Sequence, residues 1–411
     1  MADIVLSASV RQNLLSLQST ADLLATTQSR LSTGKKVNTA LDNPTNFFTA
    51  SALDSRASDI NNLLDGIGNG VQVLQAANTG ISSLQKLVDT AKSIANQALQ
   101  TTVGYSTRAN VTTNAPTGAG ALAVAGTATD LTNGGTNSLN GQALTFRTST
   151  GTTSLTISST AGPSNVNSID AINTKLTAAG VGLTASFNAA GTITFTSTND
   201  NASQVITNTA IAPTASGIVD IGGGAAVTGL TVTAAVADAA SQTTRATLVG
   251  QYNNIIQQIT TTAQDSSFNG VNLLNGDALK LTFNETGKST LNIQGVTFNP
   301  AGLGLATLVS GTDFLDNSSA NRQITALSTA SSTLRSQASS LGSNLSIVQI
   351  RQDFSKSLIN VLQTGSSNLT LADTNEEAAN SQALSTRQSI AVSALALANQ
   401  SQQSVLQLLR T

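Results

Sequence analysis

ITALSTASSTLRSQASSLGSNLSIVQIRQDFSKSLINVL, running from Ile324 to Leu362, decides the architecture. Positions Ile324, Leu327, Ser331, Leu334, Ala338, Leu341, Leu345, Val348, Gln352, Ser355, Ile359 and Leu362 alternate steps of three and four without a break. That is the seven-residue period of a helix that keeps one face against a helical partner. At a rise of about 1.5 Å per residue it extends about 60 Å.

Working outward from this helix, similar patterns occupy both ends of the chain. Downstream, SALALANQSQQSVLQLLR (Ser393 to Arg410) crowds Leu395, Leu397, Val405, Leu406, Leu408 and Leu409 against the terminus. The stripe is wide: 394/397, 395/398, 405/406 and 408/409 are all apolar or small, more than one partner helix can cover. Chain ends normally fray, so an apolar end implies something to bury against. Upstream, Leu6, Val10, Leu14, Leu17, Ala21, Leu24 and Leu31 form one stripe, interrupted by STGKKVNTALDNP. A second helical pattern follows through Ile60, Leu64, Ile67, Val71, Leu74, Ile81, Val88, Ala91 and Ala95 to about Leu99. Gly66, Gly68, Gly70 and Gly80 each weaken it by about 1 kcal/mol relative to Ala, and they permit close approach.

From about Thr101 to Ala240 the text changes to Thr, Ala, Gly and Asn with alternating apolar residues. GQALTFRTSTGTTSLTIS and GLTASFNAAGTITFTS read as hairpins, the second setting Leu183, Ala185 and Phe187 against Ile193 and Phe195. Between them NSIDAINTKLTAAG reads as a short helix with Ser168 as N-cap, Ile169, Ile172 and Leu176 on one face, and Gly180 past its end. A further helix carries Leu248, Tyr252, Ile255, Ile259 and Ala263 and ends in DSSFNGVNLLNGD, whose two Asn-Gly pairs mark tight turns. A hairpin follows, with Leu279, Leu281 and Phe283 before NETGK and Leu291 and Ile293 after it.

Composition excludes much. The chain has 411 residues, no His, no Cys, one Met, no Trp, 3% aromatic and 10% charged residues. Imidazole bases, thiol nucleophiles and nearly all zinc and iron-sulfur ligand sets are therefore missing, and no cofactor is expected. A net charge of -2 with acids and bases interspersed offers no basic stripe for nucleic acid and no polybasic membrane patch. No apolar run nears the roughly 18 residues of a membrane span, and MADIVLSASVRQ lacks the basic-then-apolar order of a signal peptide. Charged groups are depleted from buried interface centres, so scarce charge suits dense association.

The remaining motifs are better read as structure. Asp265, Asn269 and Gly270 match three positions of a calcium loop, but Ser267 and Gly276 stand where ligands are required, which leaves a double turn. TGKK and DIGGGAAVTG lack the spacing of a phosphate loop. Glu376 and Glu377 are neighbours on a helix, about 100° apart, and read as a solvated first turn after Asp373 and Thr374.

RLSTGKKVNTALDNPTNFFTAS resembles the loop-and-helix signature of bacterial flagellins, SSFNGVNLLNG their second N-terminal signature, and ALALANQSQQSVLQLLR their C-terminal ending. The similarity covers about residues 1–100, 241–276 and 318–411, and has an alphaproteobacterial flavour. The segment SIDAINTKLTAAGVGLTASFNAAGTITFTS also resembles a small module of flagellar filament and hook proteins. The resemblance implies an α+β fold, with a long helical coiled-coil and bundle rod built from both ends of the chain and a β-rich outer insert. The expected segments are 1–43, 44–100, 101–240, 241–317, 318–371 and 372–411. In better-known members the first two rod helices follow closely; here about 140 residues intervene, which puts the outer domain between them.

The implied function is a secreted subunit that self-assembles into the extracellular flagellar filament, the alternative being a hook-filament junction protein. The implied assembly interface is Leu6, Val10, Leu14, Leu17, Leu24 and Leu31 meeting Ile390, Ala394, Leu395, Leu397, Val405, Leu408 and Leu409. The implied rod core is Ile60, Leu64, Ile67, Val71 and Leu74 with Ile324, Leu327, Leu334, Leu341, Leu345, Val348, Ile359 and Leu362. The implied partners are further copies of the chain, a flagellar secretion chaperone, the filament cap and hook-associated proteins. Receptor-sensed flagellins carry two arginines and a glutamate where Lys86, Val88 and Asp89 stand here, so detection by the innate flagellin receptor is not expected.

Overall fold

A computed structural model describes residues 8–113, 130–132, 139–188, 192–213, 217–223 and 230–408. Its helices are α1 (Ala8–Thr33), α2 (Pro44–Gln100), α3 (Ile169–Ala178), α4 (Ala239–Asp265), α5 (Asn317–Thr370) and α6 (Thr374–Leu408). The helical ends and β-rich middle match the expected α+β class. The chain divides into two compact units: residues 1–72 with 280–293 and 345–411, and residues 73–279 with 294–344.

In the first unit the start of α2 is set by its sequence. Asn43 accepts a hydrogen bond from the backbone N–H of Asn46 (3.0 Å), and Pro44 opens the helix where its missing N–H costs nothing. Just before it, one Asp42 oxygen accepts from the N–H groups of Asn38 and Thr39 and from the Thr39 hydroxyl. Those backbone bonds hold the Asp42 carboxyl below the usual carboxylate range. Ala57 and Ile60 of α2 bury against Ile359 and Leu362 of α5, with Leu53, Leu64 and Leu358 at the margin. The hairpin of β12 (Ala278–Thr282) and β13 (Thr290–Gln294) seats its tip in this unit: Glu285 pairs with Arg56 at 2.8 Å, and the Arg351 guanidinium lies 5.8 Å from the centre of the Phe283 ring.

In the second unit α2 buries Leu74, Ala77, Ile81, Leu84, Val88 and Ala91, and α5 buries Leu327, Leu334 and Leu341. On α4 the buried stripe is Leu248, Tyr252, Ile256, Ile259 and Ala263, so Ile256 takes the inward place expected for Ile255. The step after Tyr252 is four residues rather than three, since 252, 256, 259 and 263 keep closer to one face. Tyr252 meets Phe314 edge to face at 6.0 Å, and burial, aided by Asp313, pushes its phenol up to about 12. The turn after α4 uses Asn269 and Gly270 at positive φ (49° and 80°), as an Asn-Gly pair permits.

Two α2 glycines have opposite meanings here. A Cβ at Gly80 would lie 2.7 Å from both Leu274 Cδ1 and Ser266 Cβ, whereas one at Gly66 meets nothing within 4 Å. Gly80→Ala should therefore destabilise the protein by about 1–3 kcal/mol through overpacking. Gly66→Ala should stabilise it by up to about 1 kcal/mol through helix propensity. Urea unfolding midpoints of the two variants test this, and a shift of the same sign in both would refute the close-packing account.

The insert between α2 and α4 starts and ends on a two-stranded ribbon, β1 (Tyr105–Thr107) paired with β11 (Val236–Ala237). Beyond it lie two sheets. One has the order β10 (Thr231–Thr233), β2 (Asn110–Thr112), β7 (Ile193–Ser197), β6 (Leu183–Phe187). The other runs β5 (Asn165–Val166), β4 (Gly151–Ile157), β3 (Ala143–Thr148), β9 (Ile218–Gly223), β8 (Val205–Thr207). The two expected hairpins are β3–β4 and β6–β7, the latter pairing Ala185 with Phe195 and Phe187 with Ile193. The parallel pairs β4–β5 and β8–β9 were not expected.

Helix α3 is capped as its sequence indicates: the Ser168 hydroxyl accepts from Ala171 N–H, Gly180 takes φ +64°, and Ile169, Ile172 and Leu176 are buried. Phe146 and Phe195 meet edge to face at 5.2 Å in the core between the sheets. Asp220, fully buried, bonds Arg147, Thr207 and Thr209. Burial alone would raise its carboxyl, but those hydrogen bonds outweigh it and hold the group below its ordinary value.

At the root of the insert α4 presents Arg245, which is fully buried. Its guanidinium donates to the carbonyls of Thr101 and Thr102 at the end of α2 (2.7 Å each), to the carbonyl of Phe314, and to Asn317 Oδ1 at the start of α5 (3.3 Å). Burial pushes its pKa down, and the charge of Asp316 partly offsets this. Around it Gly104 N–H donates to Leu315 O and Gly104 O accepts from Asp238 N–H, both at 3.0 Å. One cation thus ties the start of α4 to the end of α2 and to the segment that enters α5.

Candidate assembly surface

The first unit contains the pair in which the two chain ends meet. Lys35 bridges Leu371 in the antiparallel sense, Ala372 N–H donates to Gly34 O at 3.0 Å, and Arg30 pairs with Glu377 at 3.3 Å. With Gly34 at φ +68° these contacts start α1 and α6 side by side and antiparallel. Counting at equal helical rise from Arg30 and Glu377 brings Val10 level with Leu397 and Ala398.

The faces that α1 and α6 turn toward each other follow from burial. On α1 the covered or half-covered positions include Val10, Asn13, Leu17, Thr20, Leu24 and Thr27; on α6 they include Glu377, Ser381, Leu384, Gln388, Ala391, Leu395 and Ala398. Both sets step by three and four, the spacing of a coiled-coil seam. Six of these thirteen side chains are polar or charged. Such a seam specifies register more than it stabilises.

Further large apolar side chains of both helices lie outside the seam. Leu14, Leu15, Leu23 and Leu31 of α1 and Ile390, Val392 and Leu397 of α6 are exposed, Leu397 to 69% and Leu15 to 66%. A second apolar stripe runs along α5 in the same unit: Ile347, Ile350, Phe354 and Val361, at spacings near the helical repeat, are exposed by 42–66%. This face is distinct from the inward set of Val348, Ser355, Ile359 and Leu362. Leu41 and Phe48 add to the exposed apolar surface of the unit. Large apolar side chains exposed along several helices of one unit are candidates for protein association.

The residues singled out from sequence therefore fall into three groups. Ile60, Ile67, Val71, Leu74, Leu327, Leu334, Leu341, Val348, Ile359 and Leu362 are buried, and Leu64, Ile324 and Leu345 are half-buried. Val10 is buried, and Leu17, Leu24 and Leu395 are partly covered in the α1–α6 seam, whereas Leu14, Leu31, Ile390, Ala394 and Leu397 face outward. Leu6 and Leu409 lie outside the described residues, as do the side chains of Val405 and Leu408. Sequence reading missed the exposed set Leu15, Leu23, Val392, Ile347, Ile350, Phe354 and Val361. Its signal was available, as apolar residues flanking the inward repeat on a helix too long and too polar to be buried all round.

Among the described residues no group of three or more acidic side chains is placed to hold a metal ion, and no helix is long and apolar enough to cross a membrane.

Comparison with known proteins gives the surface a context. Residues 6–129 match the bacterial flagellin N-terminal helical region, and residues 324–409 match the bacterial flagellin C-terminal helical region. Two flagellins of Caulobacter vibrioides, FljM and FljK, are each 34% identical over 165 residues, which is 40% of this chain and 59% of theirs. Flagellin A of Rhizobium meliloti is 40% identical over 77 residues, 19% of this chain and 20% of its own. The chain thus spans about three fifths of the Caulobacter relatives it matches.

Proposed function

Because this chain belongs to the bacterial flagellin family, we propose that it is the structural subunit of a flagellar filament, adding to further copies of itself through the faces its end helices leave uncovered. It is a structural protein and not an enzyme. The observation that carries the reading is the apolar surface the α1–α6 pair leaves uncovered: its seam mixes Val10, Leu17, Leu24, Leu384 and Leu395 with polar and small side chains, while Leu14, Leu15, Leu23, Ile390 and Leu397 face out. A pair built this way is poorly stabilised alone and gains most when neighbouring subunits cover it. The α5 stripe of Ile347, Ile350, Phe354 and Val361 is a second lateral face for the same purpose.

Export in an unfolded state, a secretion chaperone for the apolar ends, and contacts with cap and hook-associated proteins at the filament ends complete the proposal, which places the working protein outside the cell. Innate receptor detection does not form part of it: of the three positions concerned, Val88 is fully buried and Lys86 and Asp89 are exposed.

Seeded growth tests the proposal. Protein freed from filaments by heat should lengthen short filament seeds on cooling. A chain that stays monomeric on seeds at high concentration would instead favour a junction role between hook and filament. Leu397→Asp should leave thermal unfolding of the monomer unchanged, because the side chain is already exposed there. It should raise the free-subunit concentration left at equilibrium by at least about tenfold, since burying a leucine is worth about 1.5–3 kcal/mol and 1.4 kcal/mol is a factor of ten. Equal growth of variant and parent would remove Leu397 from the interface.

A further inference from the structure

The insert is joined to the helices at its root by little chain. Its covalent connections are the segments entering β1 and leaving β11, and that ribbon is narrow, with an irregular register between Tyr105 and Thr107. Away from the ribbon the insert faces the start of α5 across a cleft of about 480 Å³. Thr148, Thr150 and Asn201 line it on the insert side, and Asp313, Asp316 and Arg322 on the other.

One strong bond spans this cleft. The Ser203 hydroxyl of the insert donates to Asp316 Oδ2 at 2.5 Å. Both ends are held. The other Asp316 oxygen accepts from Ser319 N–H at 2.9 Å, capping α5. Ser203 follows a short turn at Asn199–Asn201, and its neighbour Gln204 donates to Val181 O at 3.0 Å. Gly182, at φ +77°, lets the Asn201 side chain lie where any Cβ would collide.

We propose that the insert is a hinged body, with the β1–β11 ribbon as its hinge and the Ser203–Asp316 bond as the latch that holds it against α5. Three features support this. The hinge is a two-stranded ribbon with broken register, the kind of element that bends and twists most readily. The cleft walls are polar, so opening them exposes little apolar surface and water can replace the lost contacts. The latch is a charge-assisted hydrogen bond between rigid partners, the strong form of such a bond. Arg245 bonds Thr101, Thr102 and Phe314 on the helix side of the hinge and keeps the root intact while the insert moves.

The chain has no cysteine, so distances can be read from paired spin labels at Ser186→Cys on β6 and Thr333→Cys on α5, in dilute monomer. The parent pair should give one narrow distance distribution. Adding Ser203→Ala should enlarge the open population by about ten- to a hundredfold, the worth of one hydrogen bond to a charged group. Ser203→Thr, which keeps the hydroxyl, should restore the narrow distribution. An unchanged distribution in Ser203→Ala would overturn the latch. Should that variant unfold the insert, Asp316→Asn replaces it: the amide oxygen still caps α5 but no longer offers a charge, and broadening would support the latch while no broadening would end it. The measurement uses monomer, so failure to polymerise would bear on the filament reading and not on this one.

Discussion

A chain cut after Ser393 should grow no filament on seeds, even at concentrations a hundredfold above those at which the full chain grows, while its second unit unfolds at the same temperature as before. The cut removes Leu395 and Ala398 from the α1–α6 seam and Leu397 from the outward face. It also leaves Val10 and Asn13 of α1 without the helix turns that lie level with them. Each lost large apolar contact weakens the assembled state by about 1.5–3 kcal/mol, and the losses recur in every subunit. None of the removed residues belongs to the unit formed by 73–279 and 294–344, so the Phe146–Phe195 core of the insert stays intact. Electron microscopy of seeded reactions and circular dichroism melting separate the two effects. Filaments of normal length from the shortened chain would sink the role assigned to the end helices.

Replacing Arg245 by Met should destabilise the second unit by about 3–5 kcal/mol. The exchange keeps most of the side-chain volume and removes a guanidinium that satisfies three carbonyls on two passages of the chain. A buried acceptor left without its donor costs about 1–3 kcal/mol, and several are orphaned together. Met could itself relieve the cost of burying a cation, as apolar replacements of buried ion pairs sometimes do. Here the acceptors are backbone carbonyls that no side-chain exchange can remove, so the orphaned groups decide the sign. Arg245→Lys should recover only part of the loss, because one ammonium cannot reach the fork of acceptors that a planar guanidinium spans. Urea denaturation with a far-ultraviolet readout measures this, and a loss under about 1 kcal/mol would show that the root is held by something else.

How much was legible in advance depended on the kind of element. The inward repeat of α5 was plain, since Leu327, Leu334, Leu341, Val348, Ile359 and Leu362 sit at helical spacing and are buried. The cap and stop of α3 were equally plain, because Ser168 and Gly180 act locally. The α1 stripe is divided between two faces. Leu17 and Leu24 of the stripe take the seam with Val10 and the neighbouring polar set Asn13, Thr20 and Thr27, while Leu14 and Leu31 face outward.

The sheet order was not readable at all. Strands of two or three residues such as β5, β8 and β11 are too short to show alternation, and the parallel pairings join segments whose proximity depends on the whole core. Arg245 gave a faint signal: it is the only basic residue between Lys175 and Lys280, in a sequence with few charges to spare. A lone arginine on a helix nonetheless reads as a solvated one until the carbonyls around it are seen.

Tyr105 and Ala237 stand opposite each other in the ribbon where the insert leaves and rejoins the helices. Cross-strand neighbours have Cα atoms about 4.5–5.5 Å apart, a gap that a two-residue turn closes. The helices therefore treat everything from 106 to 236 as a cassette. It can be lengthened, exchanged for a foreign domain whose ends lie close together, or trimmed to a tight hairpin, with the backbone on either side of the junction left in place.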